Sequence, residues 1–304
     1  MILIIDGNNL AARNAHANAG LCRSDLTPTG AVYGSIRSLK SLIELFKPER
    51  VICVFDKGWS NWRLKLYPEY KADRKDINKT PEEIKEKERY IAQVNRLKEY
   101  IACLPMTLIQ IKYTEADDII AHILNKAIAE KKAEEFILVS NDKDFWQFIP
   151  FGVKIFDGMK GCFIDDFYIE RELQIKSNQY IFYKSMLGDK GDNIFSVKGF
   201  GEKAAINVLN KKPCTCIADT KQNAMEITKK KDDKYQKFID NFSIVERNYK
   251  LINLTDQLYL PEETKIEIDS SYNHKNLFSN NIYELIHKDE IKWDDIFLDV
   301  FKKL

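Results

Sequence analysis

Nine acidic residues stand where short apolar runs or helix starts would deliver them: Asp6, Asp56, Glu115, Asp117, Asp118, Asp142, Asp144, Asp189 and Asp192. ILII runs into Asp6, VICVF into Asp56, and FILVSN into Asp142-Lys143-Asp144. Glu115 to Asp118 read EADD at the start of a helical pattern, and LGDKGDN carries Asp189 and Asp192. Short apolar runs of this kind read as parallel strands buried on both faces. In open parallel sheets the working site lies outside the carboxyl ends of the strands. Acids far apart in sequence are therefore expected to meet at one edge of one sheet. So many carboxylates stay ionised side by side only when cations hold them. An oxygen-only donor set without His or Cys points to Mg²⁺ or Mn²⁺, and two such ions together are suited to cutting phosphodiesters. One Asp after a strand is an ordinary turn former or helix cap. Three repeats of the pattern, with an EADD besides, argue against that reading for the set.

The elements that must position these acids alternate between strand and helix. Strands are expected at residues 2–5, 51–55, 106–111 and 136–140, with smaller ones at 153–156 and 162–164. A polar stretch after Asp6 leads to an amphipathic helix from Gly30 to about Phe46, and further helices are expected from Pro81 to Cys103 and over 115–131. Pro81 suits a first helical turn, and Glu82-Glu83 favour a helix N-terminus. Lys143 to Phe148 reads as a short helix. A βαβ order of this kind predicts a mainly parallel sheet with right-handed crossovers. From about Asp166 helices and turns take over: 177–187, 202–209 and one long helix from Lys229 to Leu251, followed by a strand-like KIEID and an aromatic tail.

Composition narrows the class. With 304 residues, 44% of them hydrophobic and 31% charged, the chain resembles an ordinary folded protein of one or two domains. The formal net charge is only +1, but basic residues gather in two stretches, Lys57 to Lys98 and Lys198 to Lys237, and a local basic face counts for more than the net value. The six cysteines are scattered, and Cys214-Thr215-Cys216 lacks metal-site spacing. Met1 leads straight into a core strand, so a cytoplasmic protein without a signal peptide or membrane contact is expected. The absence of GxxxxGK[ST] argues against ATP-driven work.

Two further motifs point to nucleic acid. Gly199-Phe200-Gly201-Glu202-Lys203, preceded by Lys198, resembles half of a helix-hairpin-helix, in which glycines let backbone N–H groups approach a phosphate. Tyr67-Pro68-Glu69-Tyr70-Lys71-Ala72-Asp73-Arg74 joins aromatics to cations. Aromatic faces stack on unpaired bases and the cations meet phosphates. This segment leaves directly from Asp56, so a basic loop is expected to overhang the acids.

DGNNLAARNAHA, TGAVYGSIRSL, VFDKGWSNWRLKLYPEYKADRK, YTEADDIIAHI, VSNDKDFWQFI and LGDKGDNIFSVKGFGEKAAINVL follow one another in the order seen in the structure-specific 5′-nucleases. That family comprises flap endonucleases, phage 5′–3′ exonucleases and the 5′-nuclease domain of bacterial DNA polymerase I. The resemblance covers about residues 1 to 252. It implies an α/β fold: a mainly parallel central sheet flanked by helices (PIN-like), a helical arch and a C-terminal helix–three-turn–helix. It also implies a catalytic domain over 1–165 with the arch at about 57–100, and a helical region over 166–304 with the helix–three-turn–helix at about 187–212.

By the same resemblance Asp6, Asp56, Glu115 and Asp117 match ligands of the tighter metal, and Asp118 the last acid of the EADD motif. Asp142, Asp144 and Asp192 match ligands of the second, with Asp189 its outer-shell or additional ligand. Lys71 and Arg74 match arch cations that grip the scissile phosphate, and Tyr70 an aromatic near the unpaired end. The turn at Lys198, Gly199, Gly201 and Lys203 matches the duplex-binding element, whose carbonyls hold K⁺ in relatives. Phe200 stands where Ile or Val is common. The implied activity is Mg²⁺-dependent hydrolysis of DNA, or of RNA primers on DNA, at flaps, nicks and free 5′ ends. The enzyme is expected to be a free-standing monomer in a bacterial or phage-infected cell. A cluster at Lys229-Lys230-Lys231 is expected to add phosphate contacts. Two other readings fit parts of the pattern, an RNA-directed PIN-type nuclease and a non-catalytic junction-binding protein. The duplex-binding segment argues against the first and the intact acid set against the second.

Overall fold

The strands behave as their apolar runs require. In the computed structural model β1 (Ile2–Asp6), β2 (Arg50–Val54), β3 (Thr107–Ile109), β4 (Phe136–Val139), β5 (Lys154–Asp157) and β6 (Cys162–Ile164) form one sheet in the order β3-β2-β1-β4-β5-β6. All residues are described except 75–79, 229–232 and 258, so the expected Lys229–Lys231 cluster lies outside the described residues. Every pairing is parallel except β5 with β6. β1 lies between β2 and β4, so the chain builds outward on one side and then on the other. The crevice where that direction reverses is at the carboxyl ends of β1 and β4.

Side chains alternate across the strands. Leu3, Ile5, Val51 and Cys53 pack on one face with Leu10, Ile36, Leu39, Leu97 and Tyr100. These come from α1 (Gly7–Ala17), α2 (Gly30–Phe46) and, beyond the short α3 (Asn61–Leu66), α4 (Pro81–Ala102). Ile4, Ile52, Val54 and Leu138 pack on the other face with Ile119, Ile120 and Leu124 of α5 (Ala116–Ala129). α4 starts with a capping box in which Thr80 and Glu83 satisfy each other's backbone donors, and Pro81 follows at its first turn.

Beyond β6 come α6 (Asp166–Leu173), α7 (Tyr180–Leu187), a hairpin of β7 (Gly188–Asp189) with β8 (Ile194–Phe195), and then α8 (Glu202–Lys211), α9 (Ile217–Ile227), α10 (Lys234–Asp240) and α11 (Phe242–Ile252). They share one continuous core with the α5 side of the sheet, through Val197, Phe200, Ala204, Val208 and Phe238. Gly188 opens the hairpin at φ +72, and a Cβ there would meet the Ile194 carbonyl at 2.2 Å, so only glycine fits.

Four expectations change. The polar stretch after Asp6 is helical, as α1, capped by the Asp6 carboxylate on the Asn9 N–H. The segment from Ser177 begins as a 3₁₀ turn before α7. The single helix expected up to Leu251 is two, α10 and α11, which break at Asn241. KIEID is not a strand but part of α12 (Glu262–Asn273), where Ile268 is fully buried and Ile266 is exposed. Alternation over five residues is too short to separate the two periods. The last helices, α13 (Asn281–Lys288) and α14 (Asp295–Lys302), return to the sheet. Their Ile282, Ile286, Leu298 and Phe301 complete the core beneath α2 and α4. Among the described residues no helix is long and apolar enough to cross a membrane.

Candidate active site

Three strand ends and one helix start converge at the crevice. Asp6 ends β1, and its two oxygens accept from the Asn9 N–H at 3.0 Å and the Ser140 hydroxyl at 2.9 Å. Ser140 follows β4 and also accepts from the Asp142 N–H at 3.0 Å, tying two acids to one hydroxyl. Asp56 follows β2 and accepts from the Ala116 N–H at 2.6 Å, which fixes the start of α5. Asp142 caps the 3₁₀ helix Lys143–Phe151 by accepting from the Asp144 N–H.

The electrostatics divide the acids into two groups. In the first, burial pushes the Asp6 carboxyl up to about 7, with the charges of Asp142 and Asp56 adding to it. Asp117 is raised well above its ordinary range by burial and by Asp142, Asp6 and Asp56. Asp56 is open at the rim, yet it rises through the low-dielectric walls around its carboxyl and the neighbouring Glu115. None of Asp6, Asp56, Asp117 and Asp142 forms an ion pair among the described residues.

The second group is held by the chain's own cations. Glu115 receives Lys71 Nζ at 2.7 Å, Arg63 Nη1 at 3.0 Å and the Tyr70 hydroxyl at 2.8 Å. Burial alone would raise Glu115, but Arg63 and Lys71 together hold it below its ordinary value. Asp192 meets Arg74 Nη2 at 2.8 Å and lies 3.8 Å from Lys71 Nζ. Lys184 of α7 stands between Asp144 and Asp189, at 2.6 and 2.7 Å. Burial raises Asp144 to about 6 against the pull of Lys184, whereas Asp189 ends below its ordinary value.

Two expected roles are corrected. Tyr70 is not an exposed stacking aromatic. It is 2% exposed, packed with Ile194, Leu251 and Ile252, and its hydroxyl bridges Glu115 and Asp192. Asp118 does not join the first group. It is 2% exposed, and its Oδ2 lies 2.7 Å from Arg63 Nη1 in a buried pair. Position within EADD puts these residues on successive sides of α5, so Asp117 faces the crevice acids while Asp118 faces α3. Lys71 is also more enclosed than an overhanging loop would make it, at 7% exposure, whereas Arg74 is half-exposed. Lys198, Gly199 and Gly201 are exposed just before α8 and Lys203 in its first turn, with Gly199 at φ +87, while Phe200 turns inward and stacks on Phe238 at 4.2 Å.

Sequence reasoning missed Arg63, Lys184, Ser140 and Asn193. Arg63 was legible only as one of many cations in a basic stretch. Lys184 had a weak signal, a lone cation on an apolar helix five residues before Asp189. Ser140 and Asn193 had none.

Among the described residues no three His, Cys, Asp or Glu side chains are already drawn together as a metal-ligand set. The first group nevertheless fits a divalent cation. Its donors are all carboxylate oxygens. Asp6, Asp56 and Asp117 are pushed up where Glu115 and Asp189, each beside a cation, are pulled down, and an added cation relieves that penalty.

The model of the 5′-3′ exonuclease, N-terminal resolvase-like domain matches residues 1–179. DNA polymerase I of Thermus aquaticus is 33% identical over 209 residues, 68% of this chain and 23% of the polymerase. The 5′-3′ exonuclease of Aquifex aeolicus is 30% identical over 210 residues, 69% of each. This chain thus spans about a quarter of the polymerase and about two thirds of the exonuclease. The structure of the bacteriophage T5 flap endonuclease in complex with DNA and metal ions superimposes with a TM-score of 0.70 at 23% identity, over 94% of this chain and 99% of that one. It has the same fold, the resolvase-like α/β sheet with its helical extension. With a domain model matching more than half its length, and strand-end acids where the sheet reverses, this chain belongs to the 5′-3′ exonuclease family.

Proposed function

We propose that the chain is a structure-specific 5′-nuclease that hydrolyses phosphodiesters of DNA, and of RNA primers on DNA, at flaps, nicks and free 5′ ends, leaving 5′-phosphates. The observation that carries this reading is the uncompensated group of Asp6, Asp56, Asp117 and Asp142 at the sheet's reversal point. These acids would hold divalent cations, Mg²⁺ with Mn²⁺ as substitute, that activate water and stabilise the leaving oxygen. Asp144, Asp189, Asp192 and Glu115, now paired with the chain's own cations, would complete the donor set.

The chain's own groups do the rest. Lys71 and Arg74 place positive charge at the border of the acids, where a phosphodiester gains negative charge. Ser140 keeps Asp6 and Asp142 in register. Lys198 and Lys203, with the backbone around Gly199 and Gly201, face solvent and would meet duplex phosphates irrespective of sequence; K⁺ at their carbonyls belongs to the same proposal. We read residues 1–165 as the catalytic unit and 166–304 as the helical region that grips duplex, working as a monomer.

The test is an end-labelled 5′-flap duplex incubated with Mg²⁺, with and without a blocked 5′ end, beside the same strand as single-stranded RNA. Cleavage of the flap that stops in excess EDTA is expected. Asp142→Asn with Asp144→Asn should abolish it while flap binding in Ca²⁺ survives. Flap binding without cleavage would mean a junction-binding protein, and cutting confined to RNA an RNA-directed nuclease.

A further inference from the structure

Two turns about 120 residues apart, 69–74 between α3 and α4 and 188–195 in the hairpin, are joined by five hydrogen bonds. The Lys71 N–H donates to the Asp192 carbonyl at 2.9 Å. The Tyr70 hydroxyl and Arg74 Nη2 reach the two Asp192 carboxylate oxygens at 3.1 and 2.8 Å, and Arg74 Nε donates to the Gly191 carbonyl at 3.2 Å. The fifth contact runs the other way: Asn193 Nδ2 donates to the Glu69 carbonyl at 2.7 Å.

Asn193 is 6% exposed and left-handed at φ +58, where it closes the 3₁₀ turn Lys190–Asp192. Asparagine tolerates that conformation because its short amide usually bonds locally. Here the amide reaches instead across to the other turn. Lys71, opposite, is also left-handed at φ +54, a conformation a lysine keeps only when its surroundings over-determine it. Between them the two residues set where the Lys71 ammonium and the Arg74 guanidinium stand relative to Glu115 and Asp192.

We propose that Asn193 is a positioning residue that fastens the Glu69 carbonyl, and through it holds Lys71 and Arg74 over Asp192. The consequence for rate rests on the nuclease reading above; the fastening itself does not. Asn193→Gly keeps the left-handed turn and removes the amide. Asn193→Asp also keeps the turn and sets an acceptor against the carbonyl. In metal-free protein both variants should show faster hydrogen exchange at the Lys71 amide and in peptides covering 66–74, with β1 and β4 unchanged. On flap DNA both should slow the single-turnover step by ~10-fold or more, since small misplacements of a charged group cost that much. In a background with both Lys71→Ala and Arg74→Ala the same substitutions should add little, because Asn193 acts through those two cations. Unchanged exchange over 66–74 in both folded variants would overturn the proposal. So would a rate loss that simply adds to that of the Lys71→Ala, Arg74→Ala double variant, as expected of a merely structural residue. If the wild type itself cuts no flap DNA, the nuclease reading falls and the exchange result still decides the role of Asn193.

Discussion

Lys184 Nζ lies 2.6 Å from Asp144 Oδ1, and the same ammonium is 2.7 Å from Asp189 Oδ2. A cation of the chain's own thus stands between two acids that the family resemblance assigns to one metal. Replacing it by Met should leave both carboxylates enclosed and mutually repelling. Breaking a largely buried pair from one side costs about 3 kcal/mol. Lys184→Met should therefore melt well below wild type in EDTA and recover most of the difference in Mg²⁺, because the ion takes over the neutralising role. An equal deficit with and without Mg²⁺ would separate Lys184 from the metal site.

The raised acids give the metal-free protein a distinctive pH response. Asp6 rises from its ordinary 3.8 to about 7 on folding, and Asp144 to about 6. Between about pH 4 and 7 the folded state binds more protons than the unfolded state, so these groups make stability fall as pH rises through that window. Glu115 and Asp189, whose values are lowered, act in the opposite sense only at more acid pH. Melting temperature in EDTA should drop between pH 5 and pH 7.5, and saturating Mg²⁺ should flatten or reverse the slope. A metal-free melting temperature that climbs across this range would contradict the assignment.

Lys71 ties the turn between α3 and α4 to Glu115, and the proposed function sets its ammonium beside the scissile phosphate. Lys71→Ala should slow single turnover by ~10²-fold or more, since one preorganised donor is worth about 2.7–4 kcal/mol. Binding should change far less, and Lys71→Arg should rescue only partly because it keeps the charge but not the compact ammonium. Equal rates for all three proteins would remove Lys71 from the reaction.

Lys203 is exposed at the start of α8. If it meets a duplex phosphate, Lys203→Ala should lower the slope of log K against log salt by about 0.9 and weaken all sequences alike. A sequence-selective loss in a binding titration would mean that base edges are read there.

By itself the sequence determined the strand-end acids, because a buried parallel strand writes itself as an unbroken apolar run and its last residue must emerge at the carboxyl edge. Asp6, Asp56 and Asp142 follow from that rule, and the bounds of α2 and α4 from periodicity, Pro81 and the capping residues. What the tertiary structure decided is which of the remaining charges face one another. Tyr70 and Arg63 looked like members of an exposed basic loop, and become interior only because α3 and α11 close over them. Asp117 and Asp118 are neighbours in sequence, yet one turns to the crevice and the other to Arg63, since successive helical positions point about 100° apart. Lys184 meets Asp144 across forty residues of intervening chain, and Asn193 meets Glu69 across more than a hundred. Local propensity carries no record of such pairs. They exist only once the hairpin and α7 have packed against the sheet.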